Sequence, residues 1–249
     1  MAGLTEIERG RSEASHTVLA PTDVEPYLDP QPHTPFPLRY AFYLLGEVRG
    51  KTVLDFGCGS GENVAPLLAR GAKVLAVDLS QELIELARQR LTITKQDGDC
   101  RFIVGSAYEI PLPDGTVDVI FCSSLLHHLT IPRAMAEMKR LLKPGGVAIV
   151  KEPVRFSKTF AAARSLFPAK EDISENEHPL TKAELAQVKE GWVASGERSF
   201  RLPLVPLLEK LLAQKSKLKI WHIDGWILKN FGILEHFATV RVLRLEKAQ

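Results

Sequence analysis

Three cysteines in 249 residues are too few, and too odd a number, for a disulfide framework. Two of them, Cys58 and Cys122, stand inside apolar strand-to-loop stretches. Reduced thiols and a cytoplasmic home are the expectation. Long apolar runs are also missing. None approaches the ~20 residues that span a bilayer, and the N-terminal stretch lacks the pattern of a secretory signal. Neither charge is in surplus, with 32 Lys+Arg against 30 Asp+Glu and a net charge of +2. A general affinity for polyanions is therefore not implied, and no nucleic-acid-binding module is appended. Internal repeats and low-complexity tracts are absent. What remains is a chain with 45% hydrophobic residues, in keeping with one α/β core and its decorations.

The stretch that organises this chain is Val53-Leu54-Asp55-Phe56-Gly57-Cys58-Gly59-Ser60-Gly61. Val53 to Phe56 read as a short buried strand, apolar and stopped by glycine. The glycines let the backbone turn sharply and let a ligand lie against bare main chain. A helix starting near Glu62 and Asn63 turns its free N–H groups to the same spot. Strand, turn and helix make a nucleotide-type cradle. A dinucleotide fingerprint would place its third glycine where Glu62 stands, and an acid there repels a pyrophosphate. Asp55 adds a second carboxylate. Two acids suit a ligand with a cationic part and no phosphate, and S-adenosylmethionine fits that description. A tight turn without a ligand is the plainer alternative.

The whole stretch closely resembles the first motif of the class I S-adenosylmethionine-dependent methyltransferases, of the type that acts on small molecules in quinone and secondary-metabolite pathways. The resemblance is collinear from Leu38 to Pro153 and holds only in outline elsewhere. It implies a doubly wound, Rossmann-like α/β fold of seven strands in the order 3-2-1-4-5-7-6, with the last strand antiparallel and helical cap insertions. It also implies that an N-terminal arm and helix cover the cofactor, with S-adenosylhomocysteine as product.

The rest of the chain supports that alternation. Residues 1–37 are polar and then proline-rich, which predicts an extended arm. Residues 38–153 form the expected cofactor-binding core of a single domain, and 154–249 its substrate-side half. A helix is expected over Leu38–Val48. The core then predicts a helix over 63–70, a strand over Lys73–Asp78 and a helix over Gln81–Gln96 capped by Ser80. Strands follow at Arg101–Val104 and Val117–Cys122. A helix over Pro132–Leu142 is expected to stop at Lys143-Pro144-Gly145-Gly146, before a strand over Val147–Lys151. Thr181 and Glu184 form a capping box, Ser195–Arg201 is a weak strand, and Thr239–Leu245 alternates as a final one.

Several residues are candidates for the site. Gly57, Cys58, Gly59 and Gly61 form the turn, with Asp55 beside it. Asp78 closes the second strand, where an acid accepts both ribose hydroxyls, and Leu79 follows it. The corner Ser106-Ala107 stands where the family often has an aspartate for the adenine amino group, so that contact is open. Tyr108 either lines the pocket or packs outside it. Ser123 ends the fourth strand. His128 is a candidate general base and Glu152 a second, or a substrate-positioning acid. His127 fits better as a packed histidine satisfying the backbone, and His178 as part of a polar N-cap neighbourhood. The two adjacent histidines have no further His or Cys at ligand spacing, so no metal is expected. The acceptor is expected to be a small or lipid-like molecule. A protein or nucleic-acid methyltransferase and a non-catalytic cofactor-binding module are the alternatives. The segments 154–180 and 202–237, with the arm, are expected to roof an apolar acceptor pocket. In the second of these, Leu204, Val205, Leu207, Leu208, Leu211 and Leu212 precede Lys215, Lys217 and Lys219, which leaves membrane contact as the lesser alternative to core packing.

Overall fold

The computed structural model describes residues 12–155, 178–203, 205, 208 and 214–247. Seven strands form one sheet: β1 (Thr52–Phe56), β2 (Lys73–Asp78), β3 (Cys100–Val104), β4 (Val117–Ser123), β5 (Leu142–Pro153), β6 (Trp192–Phe200) and β7 (Val240–Lys247). Their order is β3-β2-β1-β4-β5-β7-β6. Neighbours from β3 to β5 pair in parallel, and β7 runs antiparallel to both β5 and β6. The expected topology and its reversed last strand are both borne out. Six helices are described: α1 (Pro37–Leu45), α2 (Val64–Ala69), α3 (Gln81–Thr94), α4 (Ile131–Leu141), α5 (Lys182–Lys189) and α6 (Gln214–Asn230).

Strand residues alternate between two cores, as the two-residue period of a pleated strand requires. Val53, Val119, Phe121, Val147 and Ile149 face the layer that contains α1 and α2. Leu54, Ile120, Cys122, Ala148 and Val150 face the layer of α4 and α5. Phe42 of α1 packs on Phe121 with ring centroids 4.8 Å apart, and burying such a side chain contributes about 1.5–3 kcal/mol. Asp55 follows the same alternation and shares the first face with Val53. Its carboxyl is fully buried in an apolar position.

Local signals set most element ends. Ser80 Oγ accepts from Leu83 N at 3.2 Å and starts α3. Thr181 and Glu184 make the reciprocal capping box that starts α5. One boundary departs from expectation. Lys143-Pro144-Gly145-Gly146 does not separate α4 from β5, because β5 begins at Leu142, paired with Val117. The register shifts before Val119 pairs with Val147. The turn chemistry is absorbed as an irregularity inside the strand, with Gly145 at φ +72°. β6 likewise begins at Trp192, ahead of the expected Ser195, because β7 offers it a ladder over its whole length.

The arm has little structure of its own: a short helical turn at 12–16, before its first proline, and a 3-10 turn at Glu25–Tyr27 with Pro26 at its first positions. Its carbonyls need donors. Three arginines supply them. Arg90 Nη1 donates to Ala20 O at 3.0 Å, and Arg70 Nη1 to Tyr27 O at 2.9 Å. Arg198 Nη1 donates to Pro32 O and Thr34 O at 3.1 and 3.0 Å, with its guanidinium over the Tyr40 and Phe200 rings.

Helix α6 packs against this arm and against β6. Phe36 meets Trp221 with ring centroids 5.3 Å apart, and Asp224 accepts from the backbone N–H groups of Arg201 and Leu202. Leu204, Leu207, Leu211 and Leu212 lie outside the described residues, as do residues 156–177 of the expected cap. Among the described residues no helix is long and apolar enough to cross a membrane.

The arginine clamps generate a prediction. Arg198→Ala should destabilise the protein by about 1–3 kcal/mol, since it removes two charge-assisted bonds from partly buried carbonyls. Chymotryptic cleavage at Tyr27 and Phe36 should accelerate in step. Urea unfolding and timed proteolysis at native conditions check both, with Arg198→Lys falling in between.

Candidate active site

The carboxyl edge of the parallel strands opens into a cavity of about 550 Å³. Its floor is the turn after β1. Gly57 N and Cys58 N both donate to Val77 O, at 2.9 and 2.8 Å, and Gly59 N donates to Asp78 Oδ2 at 2.9 Å. The end of β2 thus holds the turn in place. Gly59, at φ +50°, has open space where a Cβ would stand. Gly61 differs. A Cβ there would lie 2.8 Å from Cβ of Ala87, so Gly61 lets α3 approach the turn and is not part of the cavity wall.

Asp78 faces the cavity, and its other oxygen accepts from Ser80 N at 3.0 Å. A carboxylate has about four lone-pair positions, so one such group can serve several donors at once. Asp55 lies beneath, with neither oxygen hydrogen-bonded. Burial, with the Asp78 charge, pushes its pKa up to about 7, and the nearby Asn63 side chain offsets part of that. Cys58 lines the cavity. Burial first, then the Asp55 and Asp78 charges, hold its thiol protonated.

The far wall follows β4. Ser123, Leu125, His128 and Leu129 all line the cavity. Ser124 takes φ +59°, an uncommon value for a residue with a side chain. The 3-10 turn Leu126–His128 is held from below by Glu152. Glu152 Oε1 accepts from the backbone N–H groups of Leu125 and Leu126, both at 2.8 Å, and Oε2 lies 2.7 Å from His127 Nδ1. Glu152 is 1% exposed and does not reach the cavity. It is therefore a positioning residue for the turn, which corrects its reading as a base facing the substrate. His127 is its partner, and the His128 ring packs on His127 with centroids 3.8 Å apart.

The corner after β3 contributes Gly105 and Ala107 but not Ser106, whose Oγ accepts from Tyr108 N at 3.2 Å and closes a turn. Tyr108 packs outside the cavity, where its hydroxyl accepts from Thr130 N. His178 lies 3.6 Å from Glu184 beside the capping box and takes no part. Leu79 and the arm residues Glu13, Thr17 and Val18 line the opening, so the arm does reach the cavity. No described residue of 202–237 lines it, while residues 156–177 and Leu204, Leu207, Leu211 and Leu212 of the expected roof lie outside the described residues.

Sequence reading missed Lys151 and Ser124. Lys151 points into the cavity, and its Nζ donates to Ser124 Oγ at 2.8 Å. Its place at the carboxyl end of β5 was a signal that the neighbouring Glu152 overshadowed. Among the described residues no group of His, Cys, Asp and Glu is arranged to hold a metal ion.

Residues 54–150 match the family model described as a methyltransferase domain. That stretch, about two fifths of the chain, is similar to methyltransferase domains. An uncharacterized methyltransferase of Schizosaccharomyces pombe is 38% identical over 108 residues, covering 40% of this chain and 39% of that one. A demethylmenaquinone methyltransferase of Clavibacter sepedonicus is 35% identical over 106 residues, covering 42% of each. The chain thus spans about two fifths of these relatives' length. Over the whole fold, the geranyl diphosphate C-methyltransferase of Streptomyces coelicolor superposes with a TM-score of 0.61 at 16% identity, covering 99% of this chain and 98% of that one. The resemblance to class I methyltransferases is borne out in both family and fold.

The buried acid of the methyltransferase domain generates a pH prediction. A folded pKa of about 7 lies above the unfolded value of ~4. The stability that protonated Asp55 permits is therefore full below ~4 and is lost as pH rises to about 7. The loss is up to about 4 kcal/mol. Asp55→Asn should flatten the unfolding free energy across that window, as measured by denaturant titration at several pH values.

Proposed function

We propose that the protein transfers a methyl group from S-adenosylmethionine to a small-molecule acceptor. The juxtaposition of the Asp78 carboxylate with the bare backbone of Gly59, at one cavity on the carboxyl edge, carries this reading. The residues present suit the cofactor: acids for its cationic part, the cavity-facing Asp78 carboxylate for its ribose, and open space over Gly59. Asp78 would hold the ribose, the backbone of Gly57 to Gly59 the amino-acid part, and Leu79 and Ala107 the base, with Ser123 beside them. The S. coelicolor structure carries S-adenosyl-L-homocysteine and geranyl diphosphate, and the C. sepedonicus relative is named for demethylmenaquinone. Both support a small or lipid-like acceptor.

S-adenosylmethionine brings a methyl group already activated on a sulfonium. The chain's own residues then have to align, exclude water and manage one proton. Orienting two bound reactants supplies roughly 7–11 kcal/mol. Thr17, Val18 and Leu38 line one side of the cavity. His128, held on the turn that Glu152 fixes, is placed to take the acceptor's proton.

Two measurements test this. Asp78→Ala should weaken S-adenosylhomocysteine binding by roughly 10- to 150-fold for each charge-assisted bond lost. Calorimetric titration reads the affinity and thermal unfolding confirms the fold, while unchanged affinity would sink the assignment. Formation of S-adenosylhomocysteine across a panel of quinols, phenols and carboxylic acids then identifies an acceptor. With it, His128→Ala should cut turnover by ~10²–10⁴ and leave cofactor affinity intact. Equal losses in both would make His128 a wall residue.

A further inference from the structure

The cavity is not uniform in charge. Its β2 end holds Asp78, with Glu62 near the turn, while its β5 end holds Lys151. Three strand spacings separate β2 from β5, about 14 Å across the sheet. Lys151 is half-buried, and its ammonium has three donors, of which the hydrogen bond to Ser124 Oγ uses one. It forms no ion pair among the described residues. The adjacent Glu152 is committed to the Leu125 and Leu126 N–H groups and to His127. Burial lowers the Lys151 pKa, the mark of a cation short of compensation.

Such an arrangement costs free energy unless an anion completes it. Ser124 keeps the ammonium in place. Its backbone N donates to Lys151 O at 2.7 Å while its hydroxyl accepts from Nζ, so the two residues are tied twice. The strained φ of Ser124 is what sets its hydroxyl there. His128 lines the same wall.

We propose that Lys151, positioned by Ser124, binds an oxyanion of the acceptor, so that the acceptor class is a small molecule bearing a carboxylate or an equally acidic oxygen. This rests on the methyltransferase reading for the word acceptor, but not for the anion site itself. The cofactor also has a carboxylate, and the experiment separates the two sources.

Octanoate and benzoate, with octanamide and benzamide as neutral counterparts, are titrated calorimetrically into the full chain with and without S-adenosylhomocysteine. The wild type should bind each carboxylate at least tenfold more tightly than its amide, and the preference should shrink with added salt. Lys151→Met should abolish the preference, Lys151→Arg should retain it, and both should bind S-adenosylhomocysteine within twofold of wild type. Equal binding of acid and amide by the wild type, or a preference that survives in Lys151→Met, would overturn the proposal. A fall in S-adenosylhomocysteine affinity in Lys151→Met would overturn it as well, by assigning the lysine to the cofactor's carboxylate. Failure of the wild type to bind S-adenosylhomocysteine would instead count against the methyltransferase reading, while the acid–amide comparison without it still decides the anion site.

Discussion

Where the parallel strands leave the sheet, their ladder stops, and every backbone N–H beyond that point needs a new acceptor. The candidate site follows from how this chain meets that demand. The Val77 carbonyl takes the N–H groups of Gly57 and Cys58, and the Asp78 carboxylate takes those of Gly59 and Ser80. The Glu152 carboxylate takes those of Leu125 and Leu126. Each acceptor sits at the end of one strand and ties down the loop leaving its neighbour. The loops are rigid because their polar groups are satisfied across strands, and a rigid rim lets a cavity persist between them.

The same constraint explains what was legible in the sequence. Strand ends, glycine turns and caps are local signals. Asp78 as a cavity-facing acid, Ser80 as a cap and the Thr181–Glu184 box could therefore all be read from spacing. The sheet order came through resemblance, since no local pattern says that β7 inserts between β5 and β6. Glu152 was misread because its partners lie 26 and 27 residues away. An acid at a strand end looks the same in sequence whether it faces a ligand or its own backbone. Gly61 was misread for a similar reason. Its freedom of φ was evident, but the surface that needed the missing Cβ was α3, not a cofactor. Helix α6 packs on the arm and away from the cavity, a placement that no local pattern in 214–230 specifies.

Glu152 also shows how a residue outside the cavity governs it. The carboxylate fixes the turn, the turn carries His127 and His128, and the His128 ring rests on His127. Loss of the carboxylate would leave two buried N–H groups and an imidazole without their acceptor, at roughly 1–3 kcal/mol each. The position of His128 thus depends on a residue that never meets a substrate.

Charge is distributed in the cavity by the same strand ends. β2 brings Asp78 to one side, and β5 brings Lys151 to the other. The end of β4 and its loop lie between them, lining the cavity with uncharged Ser123, Ser124, Leu125 and Leu129. Protein walls screen charges less than water does, so the two sides keep opposite potentials over a short distance. A cationic donor and an anionic acceptor would each be drawn to the proper end, with their reactive atoms meeting over β4 beside His128. Transfer would remove the sulfonium charge of the donor, so the acidic side would attract the spent cofactor less than the one it bound. On this layout the polarity that orients the reactants would also favour exchange of the spent cofactor, with no moving part required.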